Sequence, residues 1–426
     1  MSFPPSQNPW RPILPEEVAE RALGVVGEIA ADLRESFARA VPEDDFRRGP
    51  SLAGGDSGLA LFFSYLDRAR PGQGYDDIAM ELLERSIEAT GERHALPGLY
   101  GGFSGVAWTL EHLRGRLFED DEEEDAGEEV AAALVDHVGL TPWLGQYDLI
   151  SGLVGFGVWA LERLPRAGSR EALEQVVARL AETAEREPGI VTWRTPPELL
   201  TPTDLELFPA GNYNLGVAHG VPGVIALLAQ ACAAGVDARD LLNGAVAWLL
   251  RQKLPEGAGS VFPYNVAPGA EPKFSRIAWC YGDLGIAASL LVAARAVGEE
   301  GWEREALEIA RHAAARPAES TGVVDAGVCH GAAGAGHLFN RIHQATGDPA
   351  CREAAVRWFE HALSLHRTGE GVGGFLMWTR GSQEEDLDWR PEPGFLTGSA
   401  GVGLALLGAV TPVEPEWDRV LLAAVR

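Results

Sequence analysis

Apolar residues fall into two kinds of stretch along this chain, and both have helical spacing. In the first kind polar residues are nearly absent all round, as in Leu59-Ala-Leu-Phe-Phe-Ser-Tyr-Leu66 and Val106-Ala-Trp-Thr-Leu110. In the second kind the apolar positions form a stripe. Leu173, Val176, Val177 and Leu180 recur at i, i+3, i+4, i+7, while Glu171, Glu174, Gln175 and Arg179 take the opposite face. A helix that is apolar on every side is buried on every side, and a striped helix covers it. The alternation of the two predicts an all-α fold: an α/α toroid, a double-layered helical barrel with the all-apolar helices as its inner ring.

A Gly-x-x-Gly turn opens each all-apolar run. The seven copies are Gly55-Asp-Ser-Gly58, Gly102-Phe-Ser-Gly105, Gly152-Leu-Val-Gly155, Gly220-Val-Pro-Gly223, Gly282-Asp-Leu-Gly285, Gly331-Ala-Ala-Gly334 and Gly398-Ser-Ala-Gly401. Seven helical-hairpin repeats are therefore expected, with each glycine pair letting the chain turn tightly and gathering the loops at one end of the barrel. Residues 1–50 are expected to be an N-terminal arm and a leading helix packed on the barrel, the arm proline-rich to about residue 15 and the helix running from Glu16 to Ala40. Residues 51–426 are expected to form a single toroid domain. Longer connections at Pro188–Asn212, Leu254–Ser275 and Thr368–Pro393 are expected to wall a substrate cleft.

Composition narrows the function. In 426 residues, 35 Lys plus Arg stand against 62 Asp plus Glu, a formal charge of -27, which argues against a nucleic-acid partner. The acidic run Glu119–Asp125 reads as a solvated loop. Four cysteines in a chain this long do not make a secreted disulfide framework, and the first residues show neither a basic nor an apolar signal region, so a cytoplasmic protein is expected. No uncharged apolar run reaches the roughly 20 residues of a membrane span, so no membrane insertion is expected.

Aligning the seven turns separates repeats that are only structural from repeats that carry chemistry. The two residues before the first glycine are Ala53 and Gly54, Tyr100 and Gly101, and Leu396 and Thr397 in copies one, two and seven. Copy four instead has His219, copy five Cys280, and copy six both Cys329 and His330; copy three places Asp148 four residues before Gly152. Two cysteines and a histidine in one register are a zinc set, and three protein ligands with a fourth position open is the catalytic arrangement. Cys280, Cys329 and His330 are the expected ligands. His219, Asp148 and Arg276 are expected to converge on the same pocket. Each also has a plainer reading: a satisfied buried histidine, a helix cap, and a partner for surplus carboxylates. Cys232 and Cys351 lie outside the register and read as small core hydrophobes.

At these residues the chain resembles the lanthionine synthetase C-like family, the cyclases of lanthipeptide biosynthesis. The motifs that carry the resemblance are Tyr147-Asp148-Leu-Ile-Ser-Gly152, Asn214-Leu-Gly-Val-Ala-His219-Gly220-Val-Pro-Gly223, Arg276-Ile-Ala-Trp-Cys280-Tyr-Gly282 and Cys329-His330-Gly331. The resemblance implies a zinc-dependent enzyme that adds peptide cysteine thiols to dehydroalanine or dehydrobutyrine, forming lanthionine or methyllanthionine rings. It implies zinc on Cys280, Cys329 and His330. His219 would be the acid that protonates the enolate, with Asp148 orienting a neighbour or taking the thiol proton and Arg276 stabilising enolate charge. A dehydrated precursor peptide is the implied substrate, with a dehydratase and a transporter as partners in a biosynthetic complex. The alternatives are a non-catalytic or glutathione-binding zinc protein of the same family, and a zinc thiolate-alkylating transferase of the protein prenyltransferase kind. The latter needs a basic diphosphate pocket that is not evident here.

Overall fold

The computed structural model describes residues 9–37, 49–92, 96–119, 125, 127–380 and 387–425. The start of the proline-rich arm, the end of the expected leading helix, His94 and most of the acidic run lie outside the described residues. The helices are α1 (Glu16–Phe37), α2 (Asp56–Ala69), α3 (Tyr75–Glu92), α4 (Phe103–Leu113), α5 (Glu128–Val138), α6 (Leu153–Arg163), α7 (Ser169–Thr183), α8 (Pro202–Leu207), α9 (Val221–Ala233), α10 (Arg239–Leu250), α11 (Asp283–Val297), α12 (Glu300–Ala315), α13 (Ala332–Thr346), α14 (Pro349–Ser364) and α15 (Ser399–Val410). Three two-stranded antiparallel sheets sit in the connections. They pair β1 (Glu185–Glu187) with β2 (Ile190–Thr192), β3 (Tyr213–Asn214) with β4 (Asn265–Val266), and β5 (Met377–Arg380) with β6 (Leu387–Arg390).

The chain divides into two compact units. One holds Ala126–Gly322 and Asp418–Arg426; the other holds Pro5–Asp125 and Val323–Trp417. In the first, α6 packs on α7, α9 on α10 and α11 on α12, with α9 lying between α6 and α11. In the second, α2 packs on α3 and α13 on α14, while α15 lies between α13 and α2 and also takes α1.

Burial follows the two sequence patterns. In α9 every residue from Val221 to Ala229 is buried, and in α11 every residue from Asp283 to Ala294. By contrast α12 buries Ala306, Ile309, Ala310 and Ala313, the i, i+3, i+4, i+7 stripe of a covering helix. In α7 the buried residues include the predicted Leu173, Val176, Val177 and Leu180.

The first glycine of each of the seven turns is the N-cap of the following helix, none with a side-chain cap. The reason for glycine differs from the expected tight turn. At Gly102, φ is -135°, a value open to any residue; what excludes a side chain is that its Cβ would stand 1.9 Å from the carbonyl oxygen of Leu96. Gly220 meets Asn214 O at 2.1 Å in the same way, and Gly334 meets Val328 O at 1.9 Å. Of the seven, Gly282 alone also adopts a left-handed φ, 127°. The approach lets carbonyls of the preceding loop satisfy the first helical N–H groups: Phe103 N–H donates to Leu96 O at 3.0 Å and Ala332 N–H to Asp325 O at 2.8 Å.

Candidate metal centre and active site

The residues two or three before each first glycine are tied to their neighbours through the main chain. In the first unit Leu149 N–H donates to Ala218 O (3.1 Å) and Ala218 N–H to Cys280 O (3.4 Å). In the second, Cys329 N–H donates to Leu396 O, Leu396 N–H to Ala53 O and Ala53 N–H to Tyr100 O, each at 2.9 Å. Side chains at these positions are thus presented by backbone bonds that do not depend on what the side chain is.

Asp148 is 3% exposed and serves two partners. Oδ1 accepts the N–H and hydroxyl of Ser151, at 2.9 and 3.3 Å, and Oδ2 lies 2.5 Å from Nδ1 of His219. An ionised carboxylate only accepts, so Nδ1 carries the proton and Nε2 is the nitrogen available for proton transfer. The His219 side chain is 43% accessible, open enough for a substrate to reach. Burial pulls the imidazole toward neutrality. The hydrogen bond and charge of Asp148 outweigh it, with Cys280 and Asp204 adding, and hold His219 above the ordinary value of 6.5. Asp148 is not a helix cap, since the N-cap of the helix that follows is Gly152, without a side-chain cap; its carboxylate closes the Asp148–Ser151 turn and meets the imidazole.

Beside His219 lies a residue to which the sequence reading gave no role. The Tyr281 ring stacks on His219 with centroids 6.2 Å apart, and its hydroxyl accepts from Asn214 Nδ2 at 3.0 Å. Burial pushes its phenol above the usual range. Arg276 is half-buried; its Nε donates to Tyr264 Oη at 3.1 Å and its guanidinium lies 5.9 Å over that ring, which in turn meets Tyr281 at 5.8 Å. Arg276 therefore connects to His219 through Tyr264 and Tyr281, whose rings meet edge to face. Tyr264 comes from the Leu254–Ser275 connection, and Asp204, whose charge reaches His219 and Tyr281, comes from α8 in the Pro188–Asn212 connection.

Cys280 is 7% exposed and Cys329 9%. One ligand atom each from Cys280, Cys329 and His330 lies within 4.8 Å of the other two, the one such metal-capable group among the described residues. Asp325, 2% exposed, faces this group: its Oδ2 is 3.9 Å from His330 Nε2. Cys232 is half-buried and Cys351 fully buried, neither belongs to the group, and all four cysteines are reduced. His337 and His343 have structural partners: His337 stacks on Trp417 at 4.6 Å, and His343 Nδ1 meets Asp348 O at 3.0 Å.

Asn214, Tyr264, Tyr281 and Asp325 are the residues that the sequence reading missed. A second register held part of the signal. Six residues before the first glycine stand Gln146, Asn214, Arg276 and Asp325 in copies three to six, but Gly49 and Leu96 in copies one and two. Polar side chains thus recur at that position through the four copies that carry the chemistry, and also in copy seven, which has Glu392 there.

Comparison with known proteins agrees with this geometry. The family model described as lanthionine synthetase C-like protein matches residues 48–422. The nisin biosynthesis protein NisC of Lactococcus lactis subsp. lactis is 24% identical over 311 residues, covering 67% of this chain and 71% of that protein. The solved structure of nisin cyclase matches with a TM-score of 0.73 at 19% identity, over 96% of this chain and 98% of that one, and it shows the fold class to be the all-α toroid. No helix among the described residues is long and apolar enough to cross a membrane. With the family model matched over most of its length, this chain belongs to the lanthionine synthetase C-like family.

Proposed function

We propose that this chain is a zinc-dependent lanthipeptide cyclase, closing thioether rings in a dehydrated precursor peptide. The observation that carries the proposal is the grouping of Cys280, Cys329 and His330 within 4.8 Å. Two thiolates and an imidazole are a donor set that would hold zinc, and three protein donors would leave room for a substrate sulfur. The chemistry that zinc supplies when bound is to bring a cysteine thiol, with a free pKa of about 8.5, to its thiolate near neutral pH.

The chain's own residues supply the rest. The peptide sulfur forms a bond to the β-carbon of a dehydroalanine or dehydrobutyrine, the double-bond pair moves toward the α-carbon and its carbonyl oxygen, and the α-carbon then takes a proton. Protonated His219 is the donor, through Nε2, because Asp148 holds Nδ1–H and favours the imidazolium. The proton released by the thiol replaces the one His219 gives, so no further reactant is consumed. Asp148 is already engaged by Ser151 and His219, which suits an orienting role better than that of thiol base. Arg276, whose Nε donates to Tyr264, would stabilise negative charge on the enolate oxygen. The connections Pro188–Asn212 and Leu254–Ser275, which supply Asp204 and Tyr264, would wall the peptide beside His219. Work in a reducing cytoplasm beside a dehydratase and a transporter suits a protein that must keep Cys280 and Cys329 as thiols.

The test is metal analysis combined with cyclisation of a dehydrated, cysteine-containing peptide, followed by loss of free thiol and by ring stereochemistry. About one zinc per chain and stereoselective closure are expected of the parent, with both lost in Cys280→Ala and Cys329→Ala. Variants that keep their zinc would sink the ligand assignment. A parent that holds zinc and glutathione but closes no ring would support the thiol-binding alternative.

A further inference from the structure

Asp325 stands six residues before Gly331, in the register that holds Asn214 and Arg276 in the two preceding copies. Its Oδ1 accepts the N–H of Gly327 at 3.0 Å, closing the turn that leads to Cys329 and His330. Its main-chain carbonyl accepts the N–H of Ala332 at the head of α13. Its Oδ2 accepts the N–H of Trp378 on β5 at 3.1 Å, and the same oxygen faces His330 Nε2 at 3.9 Å.

A carboxylate buried to 2% exposure is costly unless its acceptor sites are filled, and it offers about four. Backbone N–H groups fill one site on each oxygen. The imidazole facing Oδ2 can fill another, provided that its proton is on Nε2; Nδ1 is then left as a lone-pair donor. A histidine that binds a metal commonly gives its second ring N–H to a carboxylate, which fixes both tautomer and ring orientation.

Resting on the metal reading above, we propose that Asp325 is the positioning residue of the metal centre. It takes the Nε2–H of His330 so that Nδ1 is the ligand atom, and through Trp378 N–H it ties the β5–β6 hairpin to that ligand. The 3.9 Å separation exceeds a hydrogen bond, which would form as Nδ1 takes the metal. The hairpin thereby gains a defined position relative to the metal. On it Trp378 and Trp389 pair across the strands with ring centroids 5.5 Å apart, and Trp389 is 44% exposed. One residue thus serves the ligand loop and the hairpin through its carboxylate and the head of α13 through its main-chain carbonyl.

The test uses the full chain loaded with zinc. Asp325→Asn keeps an oxygen for Gly327 but can turn an amide N–H₂ toward two donors, Trp378 N–H and His330 Nε2–H. Competition with a chromophoric chelator should show zinc held about 10- to 100-fold more weakly, with unchanged circular dichroism. Affinity within twofold of the parent would overturn the proposal, and so would lost thermal stability at unchanged affinity, which would assign Asp325 to the hairpin alone. Nitrogen NMR of ¹⁵N-histidine-labelled parent protein decides the matter even where the variant does not fold. Zinc on Nδ1 of His330 and a proton on Nε2 are expected; zinc on Nε2 would overturn it. A parent that binds no zinc would instead bring down the metal reading and this inference with it. A parent that binds tightly beside an equally tight Asp325→Asn would bring down this inference alone.

Discussion

The sixth and seventh pre-glycine loops, Asp325–Gly331 and Glu392–Gly398, share a backbone and differ in chemistry. Both deliver the carbonyl of the residue seven places earlier to the first helical N–H, Asp325 O to Ala332 and Glu392 O to Ser399, at 2.8 and 2.9 Å. Both end in a glycine with unremarkable φ, -102° and -112°. Yet one presents Cys329 and His330 where the other presents Leu396 and Thr397. The fold makes its demands on the glycines and the main chain, while the side chains one, two and six places before the glycine are left to chemistry.

That division can be broken from either side. The largest effect belongs to the chemical side: His219→Ala should lower the cyclisation rate by about 10²- to 10⁴-fold while retaining zinc and circular dichroism. A variant that lost its zinc would make His219 a ligand, and one that cyclised at the parent rate would remove it from the mechanism. On the scaffold side the contrast lies between adjacent glycines in copy two, where no chemistry is expected. Gly102→Ala drives a methyl into Leu96 O and should cost about 3 kcal/mol or more, whereas Gly101→Ala meets nothing within 4 Å and should stay within about 0.5 kcal/mol. Equal chemical-denaturation midpoints for the two would refute the steric account.

A subtler change probes the Asp148–His219 pair. Because Asp148 raises the His219 pKa, the imidazolium survives above pH 6.5, and activity that needs this acid should fall only as pH rises through the raised value. The stabilising contact follows the same sign: fully present below the unfolded pKa and lost as pH rises past the folded one. In Asp148→Asn the falling limb of the pH–rate profile should move to lower pH, and a limb left in place would detach Asp148 from the proton transfer. The smallest effects belong to Cys232→Ala and Cys351→Ala, which should leave zinc content unchanged. The first should cost within about 0.5 kcal/mol and the second, fully buried, about 1 kcal/mol. Zinc lost from either would show that the register selected the wrong thiols.

Much of this was legible in the sequence, for a physical reason. All-apolar helices and striped helices differ in every turn, so the two layers could be told apart, and a glycine that must lie against a backbone cannot be replaced without a clash. The candidate ligands were legible because Cys280, Cys329 and His330, like His219, interrupt a register that copies one, two and seven keep free of groups ionisable at neutral pH. The supporting residues were not. Tyr281 meets Asn214 across 67 residues of chain and Trp378 meets Asp325 across 53, and such pairings leave no local period. The β3–β4 pair that brings Asn214 beside Tyr264 is two residues long in each strand, too short for an alternating pattern to announce it. Glycine's role was also misread: the pattern marked where it is needed, but the obstacle is a carbonyl six residues earlier, visible only once the loop is folded.

The chain of main-chain bonds through Cys329, Leu396, Ala53 and Tyr100 has a consequence for how such a protein can change. Leu396 and Ala53 are held through both amide and carbonyl, Cys329 through its amide and Tyr100 through its carbonyl, groups that every amino acid except proline carries in full. A hairpin copied within the gene therefore arrives with a ready socket, already aimed and already supported, whose occupant can mutate without the barrel noticing. Selection can try thiols, imidazoles or phenols there one codon at a time, which is how a symmetric scaffold acquires a lopsided active centre without first becoming unstable.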